Sequence, residues 1–186
     1  MSDASPHRLK PALHGSGVAG WLARKRVPLG FVATLVTLIL SRPTWDSWRA
    51  GLIVALAGEA IRVWAAGHLE KSREVTRSGP YRWTSHPLYV GSSVLALGVV
   101  IAARSVPVGV LAAVYMGSTI TAAVRTEEAF LRRAFGDTYD RYQRSEAEPM
   151  ARRFSLARAM RNREYRAIAG LTIGFGLLAL KVLLPI

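Results

Sequence analysis

The chain has 186 residues, of which 51% are hydrophobic, and it carries a formal net charge of +13 and no cysteine. The lack of cysteine excludes disulfides and thiolate metal sites, and the length allows one domain, residues 1–186. In a soluble protein so basic a charge would suggest nucleic acid as a partner. Here the basic residues lie between apolar blocks and no nucleic-acid-binding motif accompanies them, so no nucleic acid is expected.

Five apolar blocks follow one another along the chain, at 27–41, 51–67, 88–103, 106–124 and 167–186. A membrane-spanning helix needs about 20 apolar residues, so aromatic and arginine side chains would have to complete the shorter first and third crossings. The pattern predicts an all-α integral membrane bundle with about five transmembrane helices. A soluble helical bundle is the alternative, and the scarcity of amphipathic sequence between the blocks disfavours it.

The basic residues predict the orientation of these spans. With a cytoplasmic N-terminus, most arginines and lysines fall in the inner segments 1–26, 68–87 and 125–166, and few fall in the outer segments. The positive-inside rule favours that arrangement. We therefore expect a protein of the cell inner membrane with a cytoplasmic basic tail, a second cytoplasmic basic segment at 125–166, and its C-terminus outside. Both basic segments would also attract anionic lipid headgroups.

Two charged residues lie inside the second block. Glu59 and Arg62 are three residues apart, and a lone charge in a bilayer costs about 2.5–3.5 kcal/mol on insertion scales. The two side chains should therefore pair or line a cavity. A structural ion pair and a place in a substrate site both remain open for them.

The third and fourth blocks are joined by a short turn, which predicts an antiparallel helical hairpin. His86 and Glu127 are equally far from that turn, so they should meet at its cytoplasmic end. Pro87 suits the first position of a helix, and the free amides there carry a partial positive charge. These features predict a cytoplasmic-side pocket with aromatic walls, amide donors and carboxylates. Alternatively, the acids pair with arginines along their helix, and the aromatic residues anchor the chain at the membrane surface.

Two motifs carry a resemblance to a known family. GPYRWTSHPLYVGSSVLALG and EEAFLRRAFGDTYDRY resemble the isoprenylcysteine carboxyl methyltransferase family and the related phospholipid methyltransferases, over roughly residues 58–145. The resemblance implies a membrane enzyme that transfers a methyl group from S-adenosylmethionine to a lipophilic acceptor, either an isoprenylcysteine-type carboxylate or another lipid. It also implies a set of cofactor-binding residues: His86, Pro87, Tyr89, Gly91, Gly98, Glu127 and Glu128.

The chain departs from the family pattern at two places that bear on the substrate. One is the stretch SEAEPMARR, where the family has a basic-proline stretch after the tyrosines, and the other is Ser85. Ser85 stands where the family has an arginine before His-Pro, so a role of that arginine would pass to Arg82. Arg82 joins Glu59 and Arg62 as a candidate for contact with the acceptor. No catalytic residue is assigned, because an activated sulfonium donor needs mainly positioning and exclusion of water. The four histidines lack metal-ligand spacing, so no metal is expected.

Two other functions remain open. A membrane reductase of the sterol-reductase type would share the helical layout and use a nicotinamide cofactor. A non-catalytic lipid-binding membrane protein would keep the layout and have no turnover.

Overall fold

The computed structural model describes residues 18–71, 73–148 and 150–184, with side chains from residue 28 onward. The whole of the predicted basic tail, 1–26, therefore lies outside the described side chains. Within the described part the chain is helical and contains no strand, which confirms the all-α prediction. A 3₁₀ turn at Gly79–Arg82 accompanies seven α-helices: α1 Val18–Leu40, α2 Trp45–His68, α3 Pro87–Ala103, α4 Val106–Phe135, α5 Asp137–Gln143, α6 Leu156–Arg161 and α7 Tyr165–Leu183.

Three of the described helices, α2, α4 and α7, are long and apolar enough to cross a membrane. They confirm an integral membrane helical bundle. Two shorter apolar helical segments, Pro28–Leu40 and Pro87–Ala103, coincide with the first and third predicted spans. A count of five spans stays a prediction, because these two segments need their flanking residues to reach across a bilayer.

The contact between α2 and α3 is unusually close because glycines face each other there. A Cβ atom added to Gly98 would lie 2.5 Å from the backbone nitrogen of Ala55, and one added to Gly91 would lie 2.7 Å from the carbonyl oxygen of Gly58. Small residues let helix backbones approach in membranes, where dispersion contacts supply much of the attraction. The α2–α3 pair is consequently a rigid base on which the nearby polar groups are held.

Helix α7 packs antiparallel to α2 at the end of the bundle where α2 begins. Phe175 and Leu178 of α7 pack in a core with Ala55 of α2, and the indole N–H of Trp48 donates to the carbonyl of Phe175 at 2.9 Å. The ammonium of Lys181, the one charge in the last apolar block, donates to the carbonyl of Leu38 at 2.6 Å. A charge in an apolar helix is thus satisfied by the free carbonyls at the end of α1.

The segment around α6 covers the C-terminal end of α2. The side-chain amide of Asn162 donates to the carbonyls of Ala66 and Leu69 at 2.8 and 2.9 Å, and the Arg158 guanidinium donates to the carbonyl of Gly67 at 2.5 Å. These bonds satisfy carbonyls that the last turn of a helix leaves free. They also bring the start of α7 beneath α2.

Candidate functional site

The first cluster of candidate residues lies at one end of the α3–α4 hairpin. The imidazole Nε2 of His86 lies 3.3 Å from Glu128 Oε1, and its Nδ1 lies 3.8 Å from Glu127 Oε2. The Tyr89 hydroxyl donates to Glu127 Oε2 at 3.0 Å, and the rings of His86 and Tyr89 are 5.7 Å apart between centroids. The structure therefore brings residues of both quoted motifs into one cluster.

Local sequence explains how these side chains reach each other. Pro87 takes the first position of α3 and is fully buried, with His86 as the residue that caps the helix. The α3–α4 connection needs only two residues, and Arg104 adopts φ 48° to make the turn. Because so short a turn joins the end of α3 to the start of α4, residues of the two helices at equal distance from the turn lie side by side.

Tyr142 of α5 holds the segment before α3, residues 79–86, which we call the collar. The Tyr142 hydroxyl donates to the carbonyl of Tyr81 at 2.7 Å, and Tyr139 is fully buried. Burial, and then the nearby charge of Glu127, raises the pKa of Tyr81 far above its ordinary value, so its hydroxyl stays neutral. Both tyrosines of α5 lie within a quoted motif, but the sequence did not predict the hydrogen bond from Tyr142 to the collar.

The two glycines that the resemblance assigned to the cofactor lie outside the His86 cluster. Gly91 and Gly98 both face the backbone of α2, so close packing alone requires glycine at these positions. Their part in cofactor binding stays a prediction. Arg82 is exposed on the 3₁₀ turn, and its contact with an acceptor likewise stays a prediction.

A second polar cluster lies between α2, α3 and the start of α7. The Arg62 guanidinium donates through Nη2 to both carboxylate oxygens of Glu164, at 2.9 and 3.1 Å, and through Nη1 to the Ser92 hydroxyl. Its Nε lies 3.5 Å from Glu59 Oε2. Glu59 and Glu164 are only 6% and 5% exposed. We refer to Glu59, Arg62, Ser92 and Glu164 as the α2 charge cluster.

Sequence reasoning singled out Glu59 and Arg62 but missed Glu164. The contact joins residues that are 102 positions apart, and no periodicity reports it. The available signal was an isolated acid among arginines just before the last apolar block, in RNREYR.

Charged groups of both clusters act electrostatically on the Tyr81 hydroxyl. The charges of Glu127 and Glu164 both act on its hydroxyl, as does the Tyr89 hydroxyl. On α3, Ser92 follows Tyr89 by three residues, which places the two side chains on neighbouring positions of one helix face. The α2 charge cluster therefore lies about one turn further along α3 than the His86 cluster.

The His86 cluster has the donors and acceptors that a polar organic cofactor needs. The side chains of Glu127 and Glu128 are 41% and 32% exposed, so a bound molecule can reach their carboxylates. The Nδ1 atom of His86 is buried and makes no hydrogen bond, and Glu127 Oε2 lies 3.8 Å from it. Among the described residues, no group of three or more histidine, aspartate or glutamate side chains could hold a metal ion.

Comparison with known proteins places the chain in a family. The phospholipid methyltransferase family matches residues 51–138. The nickel-cobalt-cadmium resistance protein NccN of Alcaligenes xylosoxydans xylosoxydans is 30% identical over 149 residues, which cover 73% of this chain and 70% of that protein. The chain belongs to the phospholipid methyltransferase family. The match to this family runs from α2 to the start of α5 and so contains His86, Tyr89 and both glutamates of α4.

A second relative extends the same similarity. The cobalt-zinc-cadmium resistance protein CzcN of Cupriavidus metallidurans is 28% identical to this phospholipid methyltransferase family member over 159 residues, 79% of this chain and 74% of that protein. No solved structure matches the chain. The family resemblance seen in the two motifs is thus confirmed.

Proposed function

We propose that this membrane protein transfers a methyl group from S-adenosylmethionine to a lipophilic acceptor. The observation that carries the proposal is the contact between the two family motifs, in which His86 approaches Glu128 and Tyr89 donates to Glu127. Membership of a methyltransferase family and the helices able to cross a membrane support the same reading. The acceptor would reach the site from the bilayer.

The side chains of the His86 cluster suit this cofactor chemically. Carboxylates such as those of Glu127 and Glu128 accept charge-assisted hydrogen bonds from an ammonium or from ribose hydroxyls. The ring of Tyr89 or Tyr81 can face a sulfonium cation, an attraction of about 0.5–2 kcal/mol.

Bound S-adenosylmethionine would supply a methyl group on a sulfonium. A heteroatom of the acceptor would bond to the methyl carbon in line with the breaking carbon–sulfur bond, a neutral thioether would leave, and an O–H or N–H acceptor would lose its proton to water. The chain has to hold the two reactants in line and exclude water, which can supply much of the rate. The hydrogen bond from Tyr142 to the carbonyl of Tyr81 holds the collar against α5. Tyr81 stays neutral because it is buried, so it adds no competing negative charge.

Cofactor binding distinguishes this proposal from its two alternatives. The full-length chain in lipid nanodiscs would be titrated with S-adenosylmethionine and, separately, with NADPH by calorimetry. We expect binding of S-adenosylmethionine that weakens in His86→Ala, and no binding of NADPH. Tight NADPH binding would select the membrane reductase. Binding of S-adenosylmethionine without transfer to any lipid would select the non-catalytic lipid-binding protein.

The names of the two relatives suggest a physiological setting. Their similarity to this chain supports a role of its methyl transfer in tolerance of divalent metal cations. A strain without the chain should then grow more poorly in cobalt or cadmium salts, and the wild-type chain should restore growth. If a variant that cannot bind S-adenosylmethionine also restored growth, metal tolerance would not depend on methyl transfer.

The membrane orientation belongs to the same proposal. The basic segments at 68–87 and 125–166 would face the cytoplasm, which is where S-adenosylmethionine is made available to the His86 cluster. A reporter inserted at residues 70–73 should give a cytoplasmic signal. A signal from the outer side would contradict this orientation.

A further inference from the structure

The α2 charge cluster contains more carboxyl groups than cations. Glu59 and Glu164 contribute two carboxylates, both more than nine-tenths buried, and Arg62 contributes one guanidinium. A buried carboxyl group without a partner costs free energy unless it is protonated or gains a hydrogen-bond partner, so the second carboxyl group of the cluster is open to a further partner. Its position in the middle of the bundle, beside α3, excludes a simple surface ion pair.

The guanidinium of Arg62 is already occupied. Nη2 donates to Glu164 and Nη1 donates to Ser92, and Nε is buried without a hydrogen bond. A carboxylate is recognised best by two parallel N–H groups of one guanidinium. A carboxylate ligand could obtain that pair only by displacing Glu164 or Ser92.

Glu59 is the acid of the cluster that lacks a hydrogen bond. Both of its carboxylate oxygens are buried and accept no hydrogen bond, and the nearest cation is the Arg62 Nε at 3.5 Å. Buried polar groups are nearly always hydrogen-bonded, so an exception requires an explanation. An O–H or N–H donor from a bound molecule would supply the missing bonds.

Resting on the function proposed above, we propose that the α2 charge cluster binds the head of the lipid acceptor, and that Glu59 selects a head that carries an O–H or N–H donor. The cluster lies about one turn along α3 from Tyr89, because Ser92 follows Tyr89 by three residues. The side chain of Arg62 is 20% exposed, which leaves one side of the cluster reachable. A fatty-acid carboxylate does not satisfy Glu59, because two carboxylates would then face each other.

Direct lipid binding tests this assignment without a requirement for turnover. The full-length chain in nanodiscs would be titrated with three amphiphiles of equal chain length: an alkyl amine, an alkyl alcohol and a fatty acid. We expect the amine or the alcohol to bind at least about tenfold more tightly than the fatty acid, as the loss of a charge-assisted hydrogen bond implies. Tighter binding of the amine identifies an ammonium head, and equal binding of amine and alcohol identifies a neutral donor.

Variants connect the preference to Glu59. Glu59→Gln should reduce the preference for the donor-headed amphiphile about tenfold or more and leave the Kd for S-adenosylmethionine unchanged. Glu59→Ala serves as a second variant, and thermal unfolding reports whether each one folds. Glu74→Gln is the matched control, because Glu74 forms an ion pair with Arg152 away from the α2 charge cluster, and it should keep the preference.

The outcomes separate this inference from the proposed function. Equal or tighter binding of the fatty acid, or an unchanged preference in folded Glu59→Gln, would overturn the assignment of the acceptor head even if S-adenosylmethionine binds. A chain that shows the amphiphile preference but does not bind S-adenosylmethionine would overturn the methyltransferase proposal and leave the lipid-head site standing.

Discussion

The Tyr89 hydroxyl donates a hydrogen bond to Glu127 across the α3–α4 hairpin, at 3.0 Å. This bond ties the helix that follows the collar to the helix that carries the two acids. It places an aromatic ring and a partly exposed carboxylate side by side, which is the combination that a sulfonium cofactor with hydroxyl and ammonium groups requires.

The roles of the ring and the hydroxyl of Tyr89 can be separated by substitution. Tyr89→Phe loses a hydrogen bond worth about 1 kcal/mol and keeps the ring, so we expect less than a tenfold rise in the Kd for S-adenosylmethionine. Tyr89→Ala also removes the ring and opens the site to water, and its Kd should rise well beyond that of Tyr89→Phe. Calorimetry in nanodiscs measures both. Equal affinities in the two variants would show that the ring does not contact the cofactor.

Replacement of the two acids of α4 tests whether they hold the cofactor. Glu127→Ala and Glu128→Ala should both weaken binding of S-adenosylmethionine, by unequal amounts, because adjacent residues on a helix point in different directions. The larger effect should be at least about tenfold, as expected for a charge-assisted hydrogen bond of roughly 1.5–3 kcal/mol. Glu146→Ala is the control, since Glu146 pairs with Arg144 on the exposed surface. Unchanged affinity for S-adenosylmethionine in both variants would show that the two acids only form ion pairs at the surface of their helix.

The glycine contact between α2 and α3 predicts a clear difference between two glycine substitutions. Gly98→Ala places a Cβ atom 2.5 Å from the Ala55 nitrogen, and we expect a loss of about 1–3 kcal/mol in the free energy of unfolding. Gly170→Ala is the matched control, because a Cβ atom there has no neighbour within 4 Å. Thermal unfolding in detergent compares them. Equal stability of the two variants would contradict the close α2–α3 packing.

Glu70, which follows α2, forms an ion pair with Arg158 at 2.8 Å. This pair predicts a dependence of stability on pH. A hydrogen bond from Arg158 lowers the pKa of Glu70 below its ordinary value. A carboxylate of this kind stabilises the fold at pH values above its unfolded-state pKa, and that contribution is lost as the pH falls through the folded-state pKa. Glu70→Gln should therefore lower the unfolding temperature at neutral pH and have progressively less effect in acid. A difference from wild type that is independent of pH would exclude ionisation of Glu70 as its cause.

The sequence predicted those contacts that follow from short connections. The α3–α4 turn is so short that depth in the hairpin can be counted from it, which correctly brings His86 to the acids of α4. The contact between Arg62 and Glu164 could not be predicted in this way, because it depends on how the segment around α6 folds beneath α2. The Asn162 and Arg158 side chains that bind the end of α2 direct that fold, and their pairing with backbone carbonyls leaves no pattern in the sequence.

The helix bounds differ from the apolar blocks for a related reason. The fourth block was bounded at residue 124, yet α4 continues to Phe135, because its last turns satisfy their backbone hydrogen bonds whether or not the side chains are apolar. Hydropathy reports the part of a helix that suits lipid, while backbone bonding sets where the helix ends. The polar extension is the part of α4 that carries Glu127 and Glu128.

Transfer of labelled methyl tests the central claim most directly. The full-length chain in nanodiscs would be incubated with methyl-labelled S-adenosylmethionine and a total lipid extract, and the labelled product would be identified by mass spectrometry. We expect label in a lipid fraction with the wild-type chain, and much less with Tyr89→Ala or with the more affected of the Glu127→Ala and Glu128→Ala variants. Absence of labelled lipid with a folded wild-type chain that binds S-adenosylmethionine, or equal labelling by these variants, would contradict the account.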